Sequence, residues 1–248
     1  MLNLVLMSGY YGYGYSPYGF YFDYTYILVL IGFALCSLAS LWVHSAMKKY
    51  HGVRNARNMT GAEAAERILA EAGIYDVSVE CLGKGGGDHY DPRTKTVRLS
   101  YENYNYSSVT ALAVAAHECG HAKQHAESYA PLSIRAAMVP IVNLGSTLGM
   151  PLILIGVLFS WNQVLINIGI WAFSLAVLFQ LITLPVEFNA SGRALKCLEA
   201  GGLLGNTELS GARKVLTAAA LTYVAALASS ILQVLRLVLL FGGNRRKD

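Results

Sequence analysis

The sequence predicts a mainly α integral membrane protein, with about four transmembrane helices and a small α/β region at one membrane face. Three observations lead there. Hydrophobic residues fill 54% of the 248 positions and charged residues only 14%, where a soluble domain carries about 25% charge. Mean hydropathy is +0.42. Four apolar stretches approach or exceed the ~20 residues that cross a bilayer, and nearly all the charge lies between them.

In chain order, residues 1–23 form a Gly/Tyr-rich tail. Half of the 16 tyrosines fall within the first 26 positions and lead into an interfacial aromatic belt. A first span is expected over 24–46, a polar region over 47–136, a helical hairpin of two spans over 137–186, a second polar segment over 187–214, a fourth span over 215–241 and a basic tail over 242–248. Met1 to Met7 carries no positive charge, so no secretory signal is expected. Pro140, Gly145, Gly149 and Pro151 interrupt the second span, and Gln233 and Arg236 interrupt the fourth. Ser160 to Gln163 leaves room only for a tight turn between the second and third.

The two polar segments hold most of the 19 basic residues. Two spans separate them, so they share a side, and the positive-inside rule makes that side the cytoplasm. Arg245, Arg246 and Lys247 then fall outside, against the rule.

Within the polar region, Thr60 and Glu63 have capping-box spacing and open a helix that Gly73 is placed to end. Val77 to Val79 reads as a strand, GKGGGDHYDPRT as a turn-rich loop and TKTVRLS (94–100) as a second strand. Ser107 or Ser108 is placed to cap a helix running through VTALAVAAHECGHAKQHA.

That helix carries His-Glu-Cys-Gly-His at 117–121. Residues four apart on a helix differ by about 40° and stand one turn apart, so His117 and His121 can bind one ion while Glu118 takes a proton from water beside it. Cys119 lies about 200° from His117 and reads as a packing residue. His125 is about 12 Å of rise beyond His117, too far for the same ion. Position 127 is Glu127, which removes the pattern in which a third histidine follows at that spacing. A catalytic zinc needs one more protein ligand. Glu187, at the end of the third span, stands out because acids at a membrane edge are costly. Asp88, His89, Glu199 and Glu208 compete for the role.

The charge of +4 and its distribution argue against a nucleic-acid binder. The four cysteines form no CxxC pair, which argues against a disulfide framework or a thiolate zinc site.

The stretches YFDYTY, TGAEAAERIL, DHYDPRTKTVRLS, AVAAHECGHAKQ and VEFNASGRAL together resemble the YugP-type family of bacterial membrane zinc metallopeptidases. That family is distantly similar to the gluzincin-type membrane proteases. The resemblance implies a gluzincin-like peptidase domain at the cytoplasmic face of the plasma membrane. It implies one Zn2+ held by His117, His121 and Glu187, with Glu118 as general base. It also implies that Thr96, Val97, Arg98 and Leu99 form an edge strand on which a protein or peptide substrate adds. Distant relatives carry an aspartate four residues after the glutamate ligand, where this chain has Ser191; Ser191 and Asn189 are candidates for supporting the ligands from behind. His89, Tyr90 and Arg193 are candidate donors to the oxyanion.

The expected function is a membrane-embedded, zinc-dependent endopeptidase acting on membrane or membrane-proximal proteins. The alternative is a non-hydrolytic membrane scaffold or assembly partner with a structural zinc. The expected partners are the lipid bilayer and a protein or peptide substrate, with a homo-oligomer or a scaffold partner as further candidates.

Overall fold

A computed structural model describes residues 23–83 and 86–242. The expected tyrosine-rich tail, apart from Asp23, and the basic tail beyond Gly242 lie outside the described residues. The elements are α1 (Tyr26–His51), α2 (Gly61–Glu71), β1 (Ser78–Cys81), β2 (His89–Asp91), β3 (Thr96–Leu99), α3 (Tyr101–Asn105), α4 (Val109–Ala126), α5 (Ala130–Leu158), α6 (Gln163–Ala200) and α7 (Asn206–Phe241). Four of them, α1, α5, α6 and α7, are long and apolar enough to cross a membrane. Their outward faces are greasy: Phe33 is 71% exposed and Trp171 is 76% exposed, as a lipid-facing surface would be.

Two antiparallel pairings build the helical part. In α5 and α6, a β-carbon added at Gly169 would sit 2.6 Å from the Gly149 carbonyl oxygen, so the backbones touch where only glycine fits. Their connection is tight, with Ser160 and Trp161 both at positive φ. In α1 and α7, Gly32 abuts Ser229 and Gly211 abuts Tyr50. Arg236, an interruption in the sequence of α7, is accommodated by α1: it lies 3.6 Å from Asp23 Oδ2 and stacks on Tyr26 at 4.3 Å.

The small domain surrounds α4. The Thr60–Glu63 capping box starts α2, and Gly73 at φ +69° ends it. Ser108 Oγ accepts from Ala111 N–H and starts α4. Leu112, Ala113, Ala115, Ala116 and Cys119 of α4 pack with Ile68 of α2, Val97 and Leu99 of β3, and Leu198 of α6 in one core.

Two expectations are corrected. The loop read as turn-rich contains β2, because Asp91 accepts from Arg93 N–H at 2.9 Å and Thr94 Oγ1–H at 3.0 Å, and so closes a hairpin into β3. β3 is not an edge strand. The order is β1-β3-β2, with β1 parallel and β2 antiparallel to it, so Thr96, Val97, Arg98 and Leu99 have neighbours on both sides. The third long helix runs on past the expected span boundary at Val186. It continues through Pro185 to Ala200, because Val186, Ala190, Ala194 and Leu198 are each 0% exposed. A buried stripe with that spacing outweighs the ~3 kcal/mol that an interior proline costs.

Candidate metal centre

Gly120 decides how closely the two halves of the site approach. A β-carbon there would lie 2.6 Å from the Ala190 carbonyl oxygen, so α4 and α6 meet backbone to backbone. That contact lays Glu187 of α6 against the histidines of α4. His117 Nε2 is 3.3 Å and His121 Nε2 3.7 Å from Glu187 Oε2. The ligand atoms of His117, His121 and Glu187 all lie within 4.8 Å of one another. The imidazoles stand nearly perpendicular, 87° apart. Two nitrogens and one carboxylate oxygen form a donor set that fits zinc and leaves a tetrahedral ion one open position.

Each candidate ligand is oriented from behind. Ser191 Oγ lies 3.2 Å from His117 Nδ1, and Gln124 Oε1 lies 3.0 Å from His121 Nδ1. Both imidazoles therefore turn Nε2 toward the acid. Gln124, 0% exposed, uses its whole amide. Its Oε1 accepts from His121, and its Nε2 donates to Val186 O at 2.8 Å and Asn189 Oδ1 at 2.9 Å. Asn189 Oδ1 also accepts from Arg193 Nε at 2.7 Å, and Arg193 Nη1 pairs with Glu127 Oε2 at 2.6 Å. Glu187, 2% exposed, turns its second oxygen to Arg135 Nη1 at 2.9 Å. That ion pair offsets the cost of holding a carboxylate in a buried helix.

Glu118 lines two adjoining cavities that share Asp88, His117, Glu187 and Tyr223. One is bounded by Val114 and, on α7, Val215, Leu216, Ala219 and Ala220. The other is bounded by His89, Tyr90, Pro92, Leu132 and Arg135.

The remaining candidates separate on this geometry. His89 and Tyr90 face the second cavity. Tyr90 Oη is 2.8 Å from His125 Nδ1, and burial pushes the Tyr90 phenol up to about 12. Arg193 is occupied by Glu127 and Asn189 and lies over the Tyr129 ring; it lines neither cavity. Asp88 edges both cavities while accepting from Ser100 N–H and Asn103 Nδ2–H. Glu199 is exposed in the last turn of α6, and Glu208 accepts from the Gly205 and Ala56 N–H groups. Cys119 is fully buried, and burial pushes its thiol far above the usual range. His125 is exposed and bonded to Tyr90.

Gln124, Arg135 and Tyr223 belong to this site and were missed. Gln124 had a signal, since a residue three after His121 shares its helix face. Arg135 and Tyr223 had none that is local.

A family model described as "Putative neutral zinc metallopeptidase" matches residues 25–242. The chain is also similar to a Bacillus subtilis (strain 168) protein described as "Putative membrane protease YugP". The two are 46% identical over 221 residues, which cover 89% of this chain and 98% of that one. No solved structure matches the chain.

Proposed function

This chain belongs to the neutral zinc metallopeptidase family, and from that premise we propose a membrane-embedded, zinc-dependent endopeptidase that hydrolyses peptide bonds of membrane or membrane-proximal proteins. One observation carries the reading. His117, His121 and Glu187 converge on a point beside cavities that Glu118 also lines.

The three side chains would hold one Zn2+, which would supply Lewis acidity to polarise the scissile carbonyl and acidify water. Glu118 removes the proton from the attacking water and returns it to the leaving amine. Ser191 and Gln124 keep each imidazole turned with Nε2 inward. His89 and Tyr90 on β2 are the donors available to a developing oxyanion from the sheet side, and Arg135 and Tyr223 from the helical side. A substrate in extended form adds to the free edge of β2, the strand that borders the cavity. Basic residues at the matching ends of α1 and α7 support a cytoplasmic site.

A structural zinc in a scaffold would call for four protein ligands. Three converge among the described residues, and an acid with no role in such a site lies beside them. The test uses Glu118→Gln purified in detergent with casein as an unfolded substrate. Wild type cleaves and stops on chelation, while the variant binds zinc at full occupancy and does not cleave. Cleavage by the variant at the wild-type rate would refute the assignment.

A further inference from the structure

The groove between α1 and α7 carries a second cluster that the metal site does not use. The two helices run antiparallel in a constant register: Thr25 meets Arg236, Gly32 meets Ser229, the Cys36 thiol meets the Ala225 carbonyl, and Tyr50 meets Gly211. Each step forward on α1 is thus one step back on α7, which sets Lys48 and Lys49 level with Arg213 and Lys214. Between them lies a cavity of about 420 Å3 walled by Trp42, Ser45, Lys49, Arg213, Lys214 and Thr217.

Among the described residues, no carboxylate lines this cavity. Lys49, Arg213 and Lys214 form no ion pair among the described residues, and Lys49 instead leans over the Tyr50 ring at 5.5 Å. The far end of the same helix pair is different, for Arg236 there is met by Asp23 and Tyr26. Three cations lining one cavity give it a positive potential that favours an anion.

The surroundings say which kind. Both helices pass from charged to apolar sequence at this level, at Lys48 on α1 and Lys214 on α7. Next to the cations on α1, Leu38, Leu41 and Trp42 are 66%, 67% and 56% exposed. A free anion would use the cations and the Ser45 and Thr217 hydroxyls but leave that apolar wall bare. A ligand with a phosphate head and hydrocarbon tails fits both.

We propose that the α1–α7 groove is a binding site for an anionic phospholipid. Its phosphate sits among Lys49, Arg213 and Lys214, and its acyl chains lie along Leu38, Leu41 and Trp42. The proposal rests on the membrane character of the chain and not on its proteolytic chemistry.

The test takes the full-length protein in detergent and titrates phosphatidylglycerol, phosphatidylcholine and inorganic phosphate in turn, with bound molecules read by native mass spectrometry. Phosphatidylglycerol is expected to bind about tenfold or more tightly than phosphatidylcholine with the same chains. The combined Lys49→Gln, Arg213→Gln and Lys214→Gln variant is expected to lose that preference. Removing two exposed cations of the β2–β3 turn, Arg93→Gln with Lys95→Gln, is expected to leave it intact. Equal binding of the two lipids, or an undiminished preference in the triple variant, would overturn the proposal. So would displacement of phosphatidylglycerol by inorganic phosphate, which marks a site for free anions. Thermal unfolding in detergent reports folding of the triple variant; if its midpoint falls, the single variants Arg213→Gln and Lys214→Gln make the same comparison.

Discussion

Gln124→Leu isolates what a single buried amide does for the metal site. Leucine fills a similar volume at a helical position that is 0% exposed, so packing changes little and lost hydrogen bonds dominate. His121 Nδ1 loses its acceptor, while Val186 O and Asn189 Oδ1 each lose a donor. Asn189 Oδ1 keeps Arg193 Nε. Two buried groups are then left short, at about 1–3 kcal/mol each. Val186 O has a second lone pair for its own helix, which puts the expected loss of stability at about 2–4 kcal/mol. A His121 freed to turn is expected to weaken zinc binding about 10–100-fold. Competition against a chromophoric chelator measures the affinity, and thermal unfolding in detergent measures the stability. Gln124→Glu separates the two effects. Its carboxylate still accepts from His121 but opposes the oxygens of Val186 and Asn189, so it is expected to hold zinc while losing stability. If Gln124→Leu binds zinc within about twofold of wild type, or if Gln124→Glu loses zinc as severely, the argument from the amide fails.

Glu187→Ala is expected to lower zinc occupancy and leave Arg135 without its partner, read by metal analysis of the purified protein; unchanged occupancy would move the third ligand elsewhere. Gly120→Val forces α4 from α6 where a β-carbon already meets the Ala190 carbonyl oxygen at 2.6 Å. It should cost about 1–3 kcal/mol or more and zinc affinity along with it; a variant with wild-type melting and zinc binding would mean that the helices do not meet there. The Arg93 N–H and the Arg98 guanidinium hold Asp91 at about 2, below its ordinary 3.8. Its contribution to the hairpin is therefore complete above about pH 4 and is lost as the pH falls toward 2. Proton exchange at the β2–β3 amides across that range should track this loss, and Asp91→Asn should remove the dependence.

Local pattern and composition were enough for much of this protein. The four apolar stretches each correspond to a long apolar helix, because burial in lipid is written into runs of some 20 residues. The capping box of α2 and the serine cap of α4 depend on groups within three positions of each other, and both form. The pairing of His117 with His121 is likewise a matter of one helical turn.

Contacts made across long sequence separations were another matter. Nothing in TKTVRLS says that β1 and β2 will flank it, since a strand reads the same at the centre of a sheet as at its edge. The third span was expected to end at Val186, and it took the buried stripe facing α4 to carry α6 on to Ala200. Glu187 could be singled out from the sequence, but its partner Arg135 and the Tyr223 beside it come from helices that only folding brings near. The amide relay from His121 through Gln124 and Asn189 to Arg193 joins residues more than 60 positions apart. The sequence by itself determined a membrane chain with a zinc-type helix. Tertiary structure decided what surrounds that helix, because His117, His121 and Glu187 come together only where Gly120 lets two backbones touch.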